Sequence, residues 1–189
     1  MIVGIDEVGR GCWAGPLVAG AVVLHTEISG LQDSKKISAA TRKVLDELIY
    51  RSASVGLGWV SPKEVDDMGL TRSVRVAMQR ALYQIDEQLY DEIIIDGSYN
   101  FLDGLTQKKT KAIVRADGSI PAVSASSIVA KVARDTYMQT LTAKYDCYGF
   151  ASHVGYGTAQ HQQALVDYGV SDIHRMSYKP IKRLLERLP

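Results

Sequence analysis

Three apolar stretches of the sequence run into acid. Ile2-Val3-Gly4-Ile5 meets Asp6-Glu7, Ile93-Ile94-Ile95 meets Asp96-Gly97, and Lys111 to Arg115 is followed by Ala116-Asp117-Gly118. Stretches this apolar call for burial, and a carboxylate at the end of a buried strand resists it. If the strands lie side by side, Asp6, Glu7, Asp96 and Asp117 converge at one edge of a sheet. Carboxylates crowded in that way repel each other and take up protons unless a cation intervenes. Their oxygens are hard ligands suited to Mg²⁺ or Mn²⁺. Two such ions about 4 Å apart can activate water and neutralise the leaving oxygen of a phosphodiester. That is phosphoryl-transfer chemistry without a Ser, Cys or His nucleophile. Asp96-Gly97 and Asp117-Gly118 also read as plain turns. Neighbouring side chains of a strand point to opposite faces, so Asp6 and Glu7 share a site only where the strand bends or stops.

The elements that must position these acids follow from periodicity. Strands are expected over Met1–Asp6, Gly15–Leu24, Ser54–Val60, Glu92–Asp96 and Lys111–Arg115. The first three form an antiparallel meander, and the last two read as central buried strands. Ser38 caps a helix to about Tyr50, and Ser61-Pro62 opens a short one. An apolar stripe predicts a helix over Leu70–Leu89. Ser124 caps a long helix to about Lys144, a Gly-rich loop covers His153–Thr158, and helices follow to about Tyr168 and over Pro180–Leu188. The sum is an α/β chain, a mixed sheet with flanking helices.

The chain has 189 residues, 46% of them hydrophobic, with 22 Lys+Arg against 21 Asp+Glu. That length suits a single domain, and the composition excludes intrinsic disorder. Two cysteines, Cys12 and Cys147, make no disulfide framework. No leader and no membrane-length apolar run is evident, so a cytoplasmic protein with no membrane partner is expected. A net charge of +1 gives no global case for nucleic acid. The local clusters do: Lys35-Lys36, Lys108 to Arg115 near Asp117, and Arg175 to Arg187, all fitting phosphate contacts or a solvated face.

Gly4-Ile-Asp6-Glu7-Val-Gly9-Arg10-Gly11 with Ala14-Gly15-Pro16 resembles the opening signature of type 2 ribonuclease H, ribonuclease HII. Asp33-Ser34-Lys35-Lys36, Ile95-Asp96-Gly97, Ala116-Asp117, Ser124 to Asp135, His153-Val-Gly155-Tyr156-Gly157-Thr158 and His174-Arg175-Met-Ser177 follow in that family's order. The resemblance spans residues 4 to about 178. It departs at Cys12-Trp13, where the family has Pro and an aliphatic residue, and at Ser126 for Ala. No extension precedes the signature, which favours the HII over the HIII subtype.

The resemblance implies a ribonuclease H-like five-stranded sheet in a single domain, 1–189, with residues from about 145 onward as a helical, substrate-binding extension. It implies an endonuclease that acts on RNA/DNA hybrids and on ribonucleotides embedded in duplex DNA, as in ribonucleotide excision repair and replication. Cleavage falls on the 5′ side of the ribonucleotide and leaves 3′-hydroxyl and 5′-phosphate ends. A monomer is expected. Asp6, Glu7, Asp96 and Asp117 carry over as the metal-binding, catalytic acids. Gly9-Arg10-Gly11 carries over as the backbone reader of the ribose 2′-hydroxyl, and Tyr156 as the aromatic that stacks beside the junction. Lys35, Lys36 and Lys131 are candidate substrate contacts.

The residues alone leave room beside each role. Two glycines let the backbone approach a ligand closely, or simply allow a tight turn. Tyr156 between glycines suits stacking, or packs locally. Lys131 reaches phosphate or covers its helix. Asp135 pairs with a basic neighbour. His153 and His174 support the Tyr156 loop, since His153, His161 and His174 lack zinc-ligand spacing. The rival readings are another nuclease or strand-transfer enzyme on the same fold, and a non-catalytic hybrid-binding module.

Overall fold

A computed structural model describes residues 1–32, 34 and 36–186. Its strands are β1 (Ile2–Val8), β2 (Leu17–Leu24), β3 (Ala53–Val60), β4 (Glu92–Asp96) and β5 (Lys109–Ile113). Its helices are α1 (Ala39–Ser52), α2 (Pro62–Met68), α3 (Leu70–Leu82), α4 (Pro121–Thr140), α5 (Phe150–His153), α6 (Ala159–Tyr168) and α7 (Lys179–Leu185). The sheet order is β3-β2-β1-β4-β5. β1, β2 and β3 pair antiparallel, as expected of a meander, while β4 and β5 add in parallel to β1.

Local signals set most boundaries. Ser38 Oγ accepts from the Thr41 N–H and starts α1. Ser61 and Glu64 form a reciprocal capping box with Pro62 in the first turn of α2. α4 departs from expectation. It begins at Pro121, with Ile120 at the cap position and Ser124 already inside, its hydroxyl donating to the Asp117 carbonyl at 2.6 Å. Proline presets the first-turn φ, and the lost N–H there has no intrahelical acceptor to miss. α3 stops at Leu82, short of Leu89, because a separate turn, Glu87–Leu89, begins under the Asp86 side chain.

The two faces of the sheet are covered by different helices. Val3, Ile5, Ala19 and Ala21 pack with Val74, Ala77, Met78 and Ala81 of α3. Val22 packs on the opposite face with Leu45 and Ile49 of α1 and Ala125, Ile128 and Val129 of α4. α3 lies almost on the backbone of β3. A Cβ on Gly58 would meet the Ala77 carbonyl oxygen at 1.9 Å, and one on Gly56 the Ala81 oxygen at 2.1 Å. Backbone against backbone has no flexible end to yield. Gly58→Ala is therefore expected to destabilise the fold by about 3 kcal/mol, read as a shift of the urea midpoint at unchanged m. An unshifted midpoint would show that α3 slides away at no cost.

β4 is central, as expected, but β5 is an edge strand and largely accessible. Its lysines belong to that edge. Lys111 pairs with Glu92 at 2.7 Å, and Lys109 approaches the same carboxylate at 3.8 Å. Glu92 begins β4 and Asp96 ends it, so this pair sits at the far end from Asp117 and does not crowd the approach to it.

A second, smaller core lies beyond α4. Phe150, Tyr148, Leu165, Ile173 and Ile181 pack around Met138 of that helix. The segment from about residue 145 is thus a helical layer docked on α4.

Candidate active site

Register brings the acids together. Ile5 of β1 pairs with Ile95 of β4, so the next residues in parallel, Asp6 and Asp96, lie side by side on the face that α4 covers. β5 then runs into a turn at Ala116–Gly118, immediately before α4. Arg115 enters that turn in left-handed backbone, φ 59°. The Asp96 carboxylate fixes it by accepting the Ala116 N–H at 2.8 Å. Asp117 lands beside Asp6, and carboxylate oxygens of Asp6, Asp96 and Asp117 lie within 4.8 Å of one another.

Asp6 and Asp117 are 7% and 6% exposed. Burial, then the charges of Glu7 and Asp96, push the Asp6 carboxyl up to about 8, against hydrogen bonds from Ser127 and the Glu7 N–H that favour its ionised form. Three carboxyl groups so close fit a divalent ion in charge, donor type and spacing.

Glu7 departs from this trio. It follows Asp6 on a strand that continues to Val8, so its side chain leaves toward the other face. It still borders the cleft beside Asp6, and its Oε1 accepts from Arg10 Nη1 at 3.0 Å. The cleft measures about 390 Å³ and is lined by Asp6, Glu7, Ser34, Ser127, Lys131 and Tyr156. Ser34 is tied to Ser127 at 2.8 Å, which holds the loop at Ser34 beside the cleft. Lys36 is exposed, and Lys35 and Arg187 lie outside the described residues. Lys131 holds Asp135 at 2.8 Å and sits 5.8 Å from the Tyr156 ring centre, so it faces the cleft while paired with Asp135.

Gly9-Arg10-Gly11 forms a tight turn directly after β1, with Gly9 at φ 91°, a conformation that disfavours any side chain. Its carbonyls are held from behind. Arg175 Nη1 donates to Gly9 O at 2.7 Å and to Arg10 O at 3.3 Å, and the Tyr178 hydroxyl donates to Arg10 O. The Arg10 and Gly11 N–H groups find no backbone acceptor among the described residues. The turn therefore presents donors outward.

Tyr156 is 37% exposed and lies over Arg134, whose guanidinium carbon is 5.9 Å from the ring centre. Burial and the neighbouring Cys12 push its phenol to about 12, so it stays protonated. Burial likewise raises the Cys12 thiol, which makes it a packed neighbour of Tyr156, not a nucleophile. Trp13 lies tilted against His161, ring centres 5.6 Å apart, and fills the space that Gly157 leaves open. The Cys12-Trp13 departure is thus absorbed by local packing.

Two residues central to this arrangement were not singled out by sequence. Arg175 was grouped with the basic C-terminus, yet it and Arg134 are completely buried. Arg134 reaches the carbonyls of Pro16, Val154 and Ala14 at 2.8, 2.9 and 3.1 Å. It thereby holds Val154 in left-handed backbone, φ 44°, which is costly for a β-branched residue. Both guanidiniums sit among main-chain oxygens, with no carboxylate partner among the described residues. The one available signal was their position inside otherwise apolar or helical motifs.

The histidines support the Tyr156 loop as expected. Ser171 N–H donates to His174 Nδ1 at 3.0 Å, which puts the His174 proton on Nε2. That proton faces His161 Nε2 at 3.0 Å, and His161 Nδ1–H donates to Tyr156 O at 3.0 Å. Burial lowers both rings to about 4, so this neutral relay persists at physiological pH.

Comparison with known proteins agrees with this layout. The family profile described as Ribonuclease HII matches residues 3–181. The chain is 46% identical over 189 residues to ribonuclease HII of Dichelobacter nodosus, covering 98% of each. The ribonuclease H2 of Pyrococcus horikoshii superposes with a TM-score of 0.84 at 26% identity, over 98% of this chain and 97% of that one. Bst-RNase HIII in complex with Mn²⁺ shares the fold, with a TM-score of 0.76 at 18% identity over 98% and 69%. No helix among the described residues is long and apolar enough to cross a membrane. The sheet order, the acids at its centre and this kinship together make the chain a member of the ribonuclease HII family, the type 2 ribonuclease H endonucleases.

Proposed function

We propose that this chain hydrolyses the RNA strand of RNA/DNA hybrids and cuts on the 5′ side of ribonucleotides embedded in duplex DNA, leaving 3′-hydroxyl and 5′-phosphate ends. The observation that carries the reading is the convergence of Asp6, Asp96 and Asp117 within 4.8 Å beside an open cleft. Asp6, Asp96 and Asp117, with Glu7 at the rim, would hold Mg²⁺ or Mn²⁺. Bound as a pair, such ions supply a water nucleophile at neutral pH and neutralise charge on the leaving 3′-oxygen. An ion on Asp6 also removes the reason for its carboxyl to stay protonated.

The remaining roles belong to the chain's own groups. The outward N–H groups of Arg10 and Gly11 suit an oxygen acceptor, and the 2′-hydroxyl is what distinguishes ribose at a single position. Tyr156 is partly exposed at the cleft with Arg134 and Lys131 against its ring, which suits stacking on a sugar or base. Lys131, Lys36 and Lys35 are substrate contacts on this reading. Residues from about 145 form the substrate-binding extension, supported by the way its core carries the Tyr156 loop. The enzyme works as a cytoplasmic monomer.

The test is a cleavage map on a DNA duplex with one ribonucleotide, with Mg²⁺, with Mn²⁺ and with chelator. A single cut 5′ of the ribonucleotide, lost in chelator, is expected. Indifferent cutting along the duplex would favour a nuclease that does not read ribose, and binding without turnover a hybrid-binding module.

A further inference from the structure

Asp96 does not end its segment's contribution. Three residues on, Tyr99 stands 60% exposed, and its ring meets Phe101 edge-on at 4.9 Å. Phe101 is anchored in the main core. Its ring also lies 5.9 Å beneath the Arg10 guanidinium, which in turn holds Glu7. A continuous surface therefore runs from the carboxylates through Arg10 and Phe101 to Tyr99.

It ends in a cleft of about 580 Å³ on the α3 side of the sheet, walled by Tyr99, Phe101, Gly69, Arg72 and Arg75. Among the described residues the lining contains no acid. Arg75 donates to the Asp103 carbonyl at 2.9 Å, and neither it nor Arg72 joins an ion pair among the described residues. The cleft also receives the start of α3, where no side chain caps the first turn, so the helix adds its own positive end. Two unpaired guanidiniums, an uncapped helix start and an exposed aromatic are complementary to a phosphodiester backbone with a nucleotide stacked beside it.

We propose that Arg72, Arg75 and Tyr99 form a second nucleic-acid subsite that grips the substrate duplex away from the scissile position. It is separate from the cleft that Asp6 and Tyr156 line. This deepens the nuclease reading and rests on it. Arg72 and Arg75 take backbone phosphate, and Tyr99 takes the sugar or base that follows.

The test uses the full chain, with Arg72→Ala/Arg75→Ala and Tyr99→Ala as separate variants, on a duplex carrying one central ribonucleotide and long DNA arms. KM should rise about tenfold in either variant, with kcat held within twofold. The slope of log KM against log salt should fall by about 2 in the double-arginine variant and stay unchanged in Tyr99→Ala. Shortening one arm should raise the wild-type KM to that of the variants, and shortening the other should not. Arg72→Ala alone, which touches no structural bond, guards against a folding effect and should lower the slope by about 1. Unchanged KM and salt slope in folded variants that still cut at the ribonucleotide would overturn the subsite alone. A wild-type chain that leaves the duplex uncut would overturn the nuclease reading and the subsite with it.

Discussion

Asp6→Asn is expected to abolish strand cleavage, by roughly a thousandfold or more in kcat, and to raise the melting temperature of the metal-free protein. The two effects share one cause. Unfolded, this carboxyl titrates near its usual 3.8, whereas in the fold burial and the charges of Glu7 and Asp96 bring it to about 8. Between those values the folded state keeps a proton that the unfolded chain has released. Wild-type stability therefore falls as pH rises through the window and levels off above it. Asn carries no such proton. The variant's advantage should be absent below about pH 4 and largest above about pH 8, with a ceiling of about 6 kcal/mol before the surroundings relax. Mg²⁺ should shrink the gap, because it binds the wild-type carboxylates and stabilises that fold by mass action. Calorimetry in chelator from pH 5 to 9, paired with a cleavage assay, reads both halves. Undiminished cutting, or a variant that melts no higher at pH 8 without metal, would sink the assignment of Asp6.

Arg175→Met should lose about 3 kcal/mol of stability and, at temperatures where the variant is folded, about a hundredfold in kcat/KM. Nε and Nη2 of Arg175 donate to Gly15 O at 3.0 and 2.8 Å, and Nη1 to Gly9 O. Methionine fills similar volume but leaves Gly15 O unsatisfied, at about 1–3 kcal/mol, and Gly9 O with only the Cys12 N–H at 3.3 Å, offset in part because no buried charge remains. Freed from behind, the Gly9-Arg10-Gly11 turn no longer points its N–H groups in one direction. Tyr178→Phe tests that effect with Arg175 in place. It deletes one donor to Arg10 O and the hydroxyl that accepts from Arg175 Nη1 at 2.8 Å, at a half-buried site, so melting should move by about 2 °C or less while kcat/KM falls several-fold. Activity that follows only the folded fraction in both variants would reduce Arg175 to a scaffold residue.

What was legible from residue order was whatever depends on neighbours in the chain. Ser61-Pro62 with Glu64 specifies a helix start by itself, and β3 shows in the alternation of Ser54 to Val60. The motif series from Gly4 to Ser177 was enough to name the family. The acids could be nominated because an apolar strand ending in carboxylate is locally inconsistent, and such conflicts mark sites.

Other features depend on partners far along the chain. Sheet register, Ile5 beside Ile95, decided that Asp6 and Asp96 share a face and that Glu7 turns away. Strand order made β5 an edge and sent Lys109 and Lys111 to Glu92. Arg175 read as a surface cation because charge is ordinarily solvated. Only the closure of the C-terminal segment over the turn after β1 supplies the carbonyls that make its burial tolerable. A linear pattern records which groups are costly to bury, and the fold alone decides which of them meet.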